Sequence, residues 1–148
     1  MISKLLKKNE KGFTLMEMLI VVAIIAVLVA IAIPTFTTSL NKARVATDEA
    51  NIRSGYAAVM AQILTEQKDV ESGKDMNVTF YLNKDGTVTK GSNTVTQATD
   101  AYECFGKAEA NTEIAGQKIT NGWEKGNKVS YTYTQKDAEN AKVVIHVG

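Results

Sequence analysis

Residues 13–40 read FTLMEMLIVVAIIAVLVAIAIPTFTTSL, and Glu17 is the only charged side chain in this stretch. Between Met18 and Ile33 every residue is Met, Leu, Ile, Val or Ala. A helix over residues 13–33 would be about 30 Å long, which is the thickness of a bilayer hydrocarbon core. Because backbone groups in lipid need hydrogen-bond partners within their own segment, this stretch is predicted to be a membrane-spanning helix.

The residues before this stretch are basic. Residues 1–12 hold four lysines and Glu10, which gives them a local charge of +3. Lysines next to an apolar helix keep that end in the cytoplasm, so the rest of the chain is predicted to lie outside. A secretory signal peptide has a shorter apolar region, of about 7–15 residues. A plain single-pass anchor would also account for the hydropathy.

Glu17 is unusual in such a helix. A carboxylate in a membrane costs roughly 2.5–3.5 kcal/mol at the bilayer centre, and it usually has a partner. No Lys or Arg follows Glu17 until Lys42. Cleavage between Gly12 and Phe13 would create an α-amino group on Phe13 within one turn of Glu17. The alternative is that Glu17 reaches the lipid headgroups.

The residues KGFTLME at positions 11–17, followed by the apolar run, resemble the class III leader and processing site of type IV prepilins and the related pseudopilins. The resemblance is specific over roughly residues 8–40. It implies that a leader ending at Gly12 is removed by a prepilin peptidase. The same enzyme would then N-methylate the new terminus, Phe13.

The resemblance also assigns two assembly residues. It implies that Glu17 pairs with the N-terminal amine of Phe13 in a neighbouring subunit, which would neutralise a charge inside an apolar fibre. Pro34 matches a family position where the helix kinks or loosens. Ala26 departs from the pattern, because many family members have Gly near this position.

Residues 41–70 continue the helix in amphipathic form, and the helix is predicted to extend to about Lys68. Apolar residues recur at spacings of three, four and seven, which is typical of one helical face packed on a core; they are Val45, Ile52, Tyr56, Val59, Met60, Ile63 and Leu64. Gly55 is interpreted as a mild helix breaker. A second set is predicted to form a solvated, mutually paired face: Arg44, Asp48, Glu49 and Arg53.

Residues 71–148 are predicted to form a small β-rich head. Candidate strands are residues 78–82, 87–90, 129–134 and 143–147, and Asp85-Gly86 indicates a tight turn between the first two. A short helix is expected within 97–110 and a surface loop over 111–128. The predicted fold is α+β: a long N-terminal helix packed on a small antiparallel sheet, in the manner of the resembled pilins.

Side chains suited to catalysis or metal binding are scarce in this head. The chain has one Cys and one His, and no nucleophile–base pair can be assembled from them. Cys104 is predicted to be a small buried hydrophobe and His146 a structural or exposed residue. Asn83, Asp85 and Gly86 faintly resemble a calcium loop, but a plain turn is favoured. The expectation is a protein that is not an enzyme and has no cofactor or metal site.

The single Cys also bears on the resemblance. Many type IV pilins of Gram-negative bacteria have a C-terminal disulfide, which one Cys cannot form. The chain therefore resembles more closely the disulfide-free pilins of Gram-positive bacteria. A formal net charge of +1 gives no electrostatic support for binding nucleic acid, so that partner stays open.

Together these features predict four segments: a cleaved leader (1–12), an apolar helix (13–40), its amphipathic continuation (41–70) and the head (71–148). The predicted function is a pilin that enters the cytoplasmic membrane as a precursor and polymerises with itself into a surface pilus. Implied partners are a prepilin peptidase and methyltransferase, an assembly platform and its ATPase. A pseudopilin of a secretion or DNA-uptake machine and a membrane-anchored monomeric binding module are the alternatives.

Overall fold

The computed structural model describes residues 12–66, 76–91, 100–136 and 140–148. The chain divides into two units, Met1–Ser39 and Leu40–Gly148. Apart from Gly12, the predicted leader lies outside the described residues.

One helix, α1, runs over Leu15–Glu66 and has 52 residues. This confirms the prediction of a single long N-terminal helix. Residues 67 and 68, to which the prediction extended it, lie outside the described residues. Within Leu40–Gly148, the buried residues of α1 are spaced three or four apart on one face of the helix; they are Asp48, Ile52, Gly55, Val59 and Ile63.

Gly55 does not break α1. A Cβ at this position would collide with the Tyr131 hydroxyl group and would lie 2.8 Å from Leu82 Cδ1. The Tyr131 hydroxyl donates a 2.7 Å hydrogen bond to the carbonyl oxygen of Ile52. The missing side chain of Gly55 therefore makes room for the sheet to pack against the helix, and its interpretation as a breaker was wrong.

The main sheet has four antiparallel strands in the order β2–β1–β5–β6. These are β1 (Met76–Leu82), β2 (Val88–Gly91), β5 (Val129–Gln135) and β6 (Lys142–Val147). All four predicted strands are confirmed within two residues at each end. The turn at Asp85-Gly86 is also confirmed, since Gly86 has a positive φ of 83° and donates to the Asn83 carbonyl oxygen over 3.0 Å.

The core lies between α1 and this sheet. Its largest fully buried side chains come from the helix, the sheet and the segment between β2 and β5; they include Ile52, Phe80, Leu82, Ile114, Trp123 and Tyr131. The α+β fold predicted from the sequence is confirmed.

Residues 111–128 are not a surface loop, and that prediction was wrong. They contain a hairpin of β3 (Thr112–Ile114) and β4 (Gln117–Ile119), whose turn residues Ala115 and Gly116 both have positive φ angles. Gln117 joins the hairpin to β6, donating to the Val143 carbonyl oxygen over 2.7 Å and accepting from Ile145 N over 3.1 Å.

The helix expected within residues 97–110 is also wrong for the described part, residues 100–110. Residues 102–109 alternate between buried and exposed, as an extended chain does. Three isolated β-bridges hold residues 100–110: Ala101 to Asn83, Glu103 to Lys128 and Ala108 to Trp123. Residues 97–99 lie outside the described residues.

Asp48 contradicts the prediction of a solvated face, because its side chain is fully buried. Its Oδ1 accepts from the Tyr102 hydroxyl over 2.6 Å and from Phe105 N over 2.9 Å. Its Oδ2 accepts from Gly106 N over 2.8 Å and from Trp123 Nε1 over 3.0 Å. Burial and the hydrogen bond to Asp48 raise the pKa of Tyr102, which keeps its hydroxyl proton available as a donor.

Two further polar side chains of α1 hold the same segment. Asn41 accepts from Lys107 N over 2.9 Å and donates to the Lys107 carbonyl oxygen over 3.0 Å. Asn51 donates to the Tyr102 hydroxyl over 3.1 Å. Residues 102–107 are therefore fixed along α1 by hydrogen bonds and not by a disulfide.

We predict that Asp48→Asn lowers the free energy of unfolding by about 2–4 kcal/mol, because an amide offers only one acceptor oxygen and turns a donor towards other donors. Urea unfolding of the full chain in detergent, followed by circular dichroism, measures the change. Glu49→Gln is the matched control and should shift stability by less than about 0.5 kcal/mol. Equal stability of the two variants would contradict the role given to Asp48.

Cys104 is buried, as the sequence predicted. Burial, with a smaller contribution from the Asp48 carboxylate, raises the pKa of the thiol to about 12. Because the thiolate is the reactive form, Cys104 should resist alkylation by iodoacetamide at pH 8 in the folded chain and react fully in denaturant. Mass spectrometry of both samples checks this; rapid labelling of the folded chain would show that the thiol is accessible.

Candidate functional site

The start of α1 is the candidate site, and its hydrogen bonds join residues that are close together in sequence. Thr14 precedes the first helical residue, and its carbonyl oxygen accepts from Met18 N over 3.2 Å. The Thr14 amide donates to Glu17 Oε2 over 2.7 Å, and the Glu17 amide donates to Thr14 Oγ1 over 3.2 Å. These reciprocal bonds form a capping box, with Thr14 as N-cap and Glu17 at the third helical position.

The capping box was missed by the sequence analysis, although the signal was present. Ser or Thr followed three residues later by an acidic residue, just before an apolar run, is its usual pattern. Glu17 also lies in the first turn of α1, where the helix dipole favours a negative charge. Glu17 therefore has a partner within its own chain, in addition to any partner it finds in another subunit.

Downstream of this cap, α1 presents a wholly apolar and exposed surface. Its most apolar 18-residue window has a mean hydropathy of 3.0, and none of that window is buried. Such a helix is long and apolar enough to cross a membrane. Large apolar patches on a soluble surface are rare, so this one must be covered by lipid or by other protein.

Pro34 lies within α1 and does not interrupt it. Threonine hydroxyls near Pro34 bond to the helix backbone: Thr37 and Thr38 donate to the Pro34 carbonyl oxygen over 2.9 and 3.0 Å, and Thr35 donates to that of Ile31 over 3.2 Å. These bonds satisfy polar groups in an otherwise apolar stretch. The predicted kink or loosening at Pro34 stays a prediction.

The remaining candidate groups lie apart from this segment in sequence. His146 is exposed on β6. Asp85 accepts from the amide and the hydroxyl of Thr87, at 2.9 and 2.7 Å, and Asn83 donates to Thr87 and Thr89, as expected of a hydrogen-bonded turn. Across the described residues, no group of three or more His, Cys, Asp or Glu side chains is placed to hold a metal ion.

Comparison with known proteins places the chain in a family. The model of the prokaryotic N-terminal methylation motif matches residues 7–33, which include the capping box. The type IV narrow pilus major component PilA5 of Thermus thermophilus is 35% identical over 114 residues, which are 74% of this chain and 91% of the relative. The chain belongs to the type IV pilins.

Two further relatives support this assignment over most of their length. The type IV major fimbrial protein FimA of Dichelobacter nodosus is 30% identical, over 90% of this pilin and 72% of the relative. The fimbrial protein EcpC of Eikenella corrodens is 25% identical, over 93% of this pilin and 95% of the relative. No solved structure matches the chain significantly.

These relatives confirm the resemblance seen in the sequence and the function of a structural pilin subunit. The pseudopilin and the anchored binding module are not favoured. The likeness to disulfide-free pilins of Gram-positive bacteria is not confirmed by these relatives and stays a prediction.

Proposed function

We propose that this pilin enters the cytoplasmic membrane as a single-pass precursor with its Lys-rich leader inside. It is then cleaved after Gly12, N-methylated at Phe13, and polymerised with copies of itself into a cell-surface type IV pilus. The observation that carries the proposal is the exposed apolar helix with a single carboxylate, Glu17, in its first turn. Such a surface is suited to lipid first and to the same helix of other subunits afterwards.

The geometry of Glu17 suits a partner from another chain. Among the described residues, hydrogen bonds are made to Oε2 of Glu17 and not to Oε1. Cleavage after Gly12 would give each subunit a positive amine on Phe13. In an apolar fibre, a carboxylate and an amine that meet cost far less than either alone, and they fix the register between subunits.

Transfer from lipid to fibre does not remove apolar surface from water. Residues 18–33 are surrounded by hydrocarbon in both settings, so hydrophobic burial contributes little to this step. Side-chain packing and the pairing of Glu17 with Phe13 then decide whether a subunit joins. Pro34 and its threonines would adjust the helix during this step.

Processing and assembly would also require partner proteins. A prepilin peptidase and methyltransferase would act on Gly12 and Phe13, and an assembly platform with its ATPase would extract the subunit from the membrane. The four segments keep the bounds 1–12, 13–40, 41–70 and 71–148. This pilin is proposed to act as a building block and not as an enzyme, without a cofactor.

Loss of the leader changes the charge of the protein. It removes four lysines and one glutamate, leaving 13 basic and 15 acidic side chains, a formal charge of −2. This charge does not favour nucleic acid as a partner of the mature subunit.

Processing is tested at Gly12. A Cβ on Gly12 would meet nothing within 4 Å, so a larger residue there should not disturb the fold. We predict that Gly12→Leu blocks cleavage and leaves the precursor at full size. The intact mass of the wild-type protein should match a chain that begins at N-methylated Phe13. A wild-type chain that keeps its Lys-rich start would support the monomeric anchored module instead.

Assembly is tested by separating the two roles of Glu17. Glu17→Gln keeps the capping box, since Gln serves at the third helical position as well as Glu, but it removes the charge. Losing a charge-assisted hydrogen bond of about 1.5–3 kcal/mol should weaken subunit addition roughly 10- to 100-fold. Fibre mass in sheared surface fractions measures the loss, while cleavage should be unchanged.

Thr14→Val is the matched control for Glu17→Gln. It removes the hydroxyl of the cap but keeps the carboxylate, at a cost of about 1 kcal/mol to the helix start. Its fibre yield should stay close to that of the wild type. If instead Thr14→Val lowered the fibre yield and Glu17→Gln left it normal, Glu17 would serve helix capping and not subunit pairing.

A further inference from the structure

Phe105 is an aromatic side chain left half-exposed on a rigid segment. Its side chain is 51% exposed, although the neighbouring residues Cys104 and Gly106 are buried. The Phe105 amide is fixed by Asp48, and the Phe105 ring packs edge-on against Tyr102 with 5.8 Å between ring centroids. An exposed aromatic ring that is already held in place loses little conformational freedom on binding, which is the character of an interface anchor.

A pocket lined by apolar side chains, which could accept the Phe105 ring, lies elsewhere within Leu40–Gly148. It is a cavity of about 270 Å³ between α1, β4, β5 and the start of β6. Met60 and Leu64 of α1 line it and are themselves exposed, 38% and 65% respectively, while Ile63 and Tyr133 lie deeper. A cavity of about 150 Å³ is enough to admit a benzene ring, so this pocket can take a phenylalanine side chain.

These two places account for nearly all the exposed large apolar side chains of the described part of Leu40–Gly148. Phe105 forms one site, Met60 and Leu64 the other, and Leu40 is the remaining case. A Cβ on Gly106 would lie 2.8 Å from Val45 Cγ2, which places the Phe105 segment beside α1 near Val45. The pocket residues of α1 lie about 16 positions further along, or roughly 24 Å at the helical rise.

We propose that Phe105 of one subunit inserts into the Met60–Leu64 pocket of the next subunit in the pilus. This inference rests on the proposed function, because it names a contact by which the heads of the polymer join. Two different and complementary surfaces on one chain make a head-to-tail contact, which extends into an open helix when the rotation between subunits does not close a ring. A self-complementary patch would close a dimer and end growth.

Charges beside the two surfaces agree with this pairing. Residues 103–109 alternate in burial, so Glu103 and Lys107 face outward on either side of Phe105, and Lys107 is paired with Glu124 over 3.0 Å. Lys142 lines the pocket and is exposed. Insertion of Phe105 would bring an acidic side chain towards a basic one, which favours the correct orientation of the approaching subunit.

Cysteine cross-linking in intact fibres tests the contact. The full-length Phe105→Cys/Leu64→Cys double variant is assembled, sheared from cells and treated with a short bis-maleimide. Denaturing gels should show a ladder of dimers, trimers and higher polymers, because each subunit contributes one cysteine to each neighbour. Each single variant, and the wild type with its buried Cys104, should remain monomeric on the gel.

The control pair is Phe105→Cys with Lys118→Cys, which is exposed on β4 but outside the pocket. An equally strong ladder from this pair would overturn the proposal. Dimers alone, or adducts with another cell protein, would also overturn it, as would fibres that form from the double variant without cross-links. Failure of the wild type to form fibres at all would instead count against the proposed function.

A second measurement covers the case in which the cysteines prevent assembly. Phe105→Leu keeps an apolar side chain that fits the pocket, and Phe105→Asp replaces it with a charge. Fibre yield should stay within about twofold of the wild type for Phe105→Leu and fall roughly tenfold or more for Phe105→Asp. Equal yields from these two variants would overturn the proposal.

Discussion

The carboxylate of Asp48 accepts hydrogen bonds from Tyr102, Phe105, Gly106 and Trp123, and the arrangement of the head follows from it. Three of these donors belong to one extended segment, and the fourth follows the β3–β4 hairpin. One helical side chain thus joins parts of the chain that lie 54 to 75 residues away. The network supplies the cross-connection that a disulfide would give, and it needs no oxidising compartment to form.

The surroundings that α1 requires differ between the two units of the chain. In Met1–Ser39, α1 has apolar residues on every side and needs hydrocarbon or other subunits around it. In Leu40–Gly148, only one face of α1 is buried, and that face carries Asp48 and Gly55 among its apolar residues. The change follows directly from where Lys, Arg, Asp and Glu enter the sequence, beginning at Lys42.

Local patterns predicted much of this structure. The unbroken apolar run predicted the long helix, and alternating β-branched and aromatic residues predicted β5 and β6. The Asp85-Gly86 pair predicted the turn between β1 and β2. The motif over residues 11–17 indicated the family because all of its parts are adjacent in sequence. Its capping box was equally local and could have been found.

The predictions were wrong where contacts between residues far apart in sequence determine the local structure. Asp48 looked like part of a solvated face because its donors are contributed by another part of the chain, although its spacing from Val45 and Ile52 placed it on the apolar stripe. A short helix was predicted within residues 97–110, yet β-bridges and Asp48 hold the described part of that segment extended. A cavity shaped by four elements, such as that beside Leu64, has no local signature at all.

The cap at Thr14 also fixes the state of the backbone immediately before it. Helical hydrogen bonding begins at Thr14, whose carbonyl oxygen is the first acceptor, so the peptide bond between Gly12 and Phe13 lies outside α1. Proteolytic enzymes need an open backbone around the bond they cut, and a helical turn would have to unwind first. Because α1 begins only at Leu15, Thr14 and Glu17 keep the bond that is proposed to be cut outside the helix, while the apolar helix that follows stays intact.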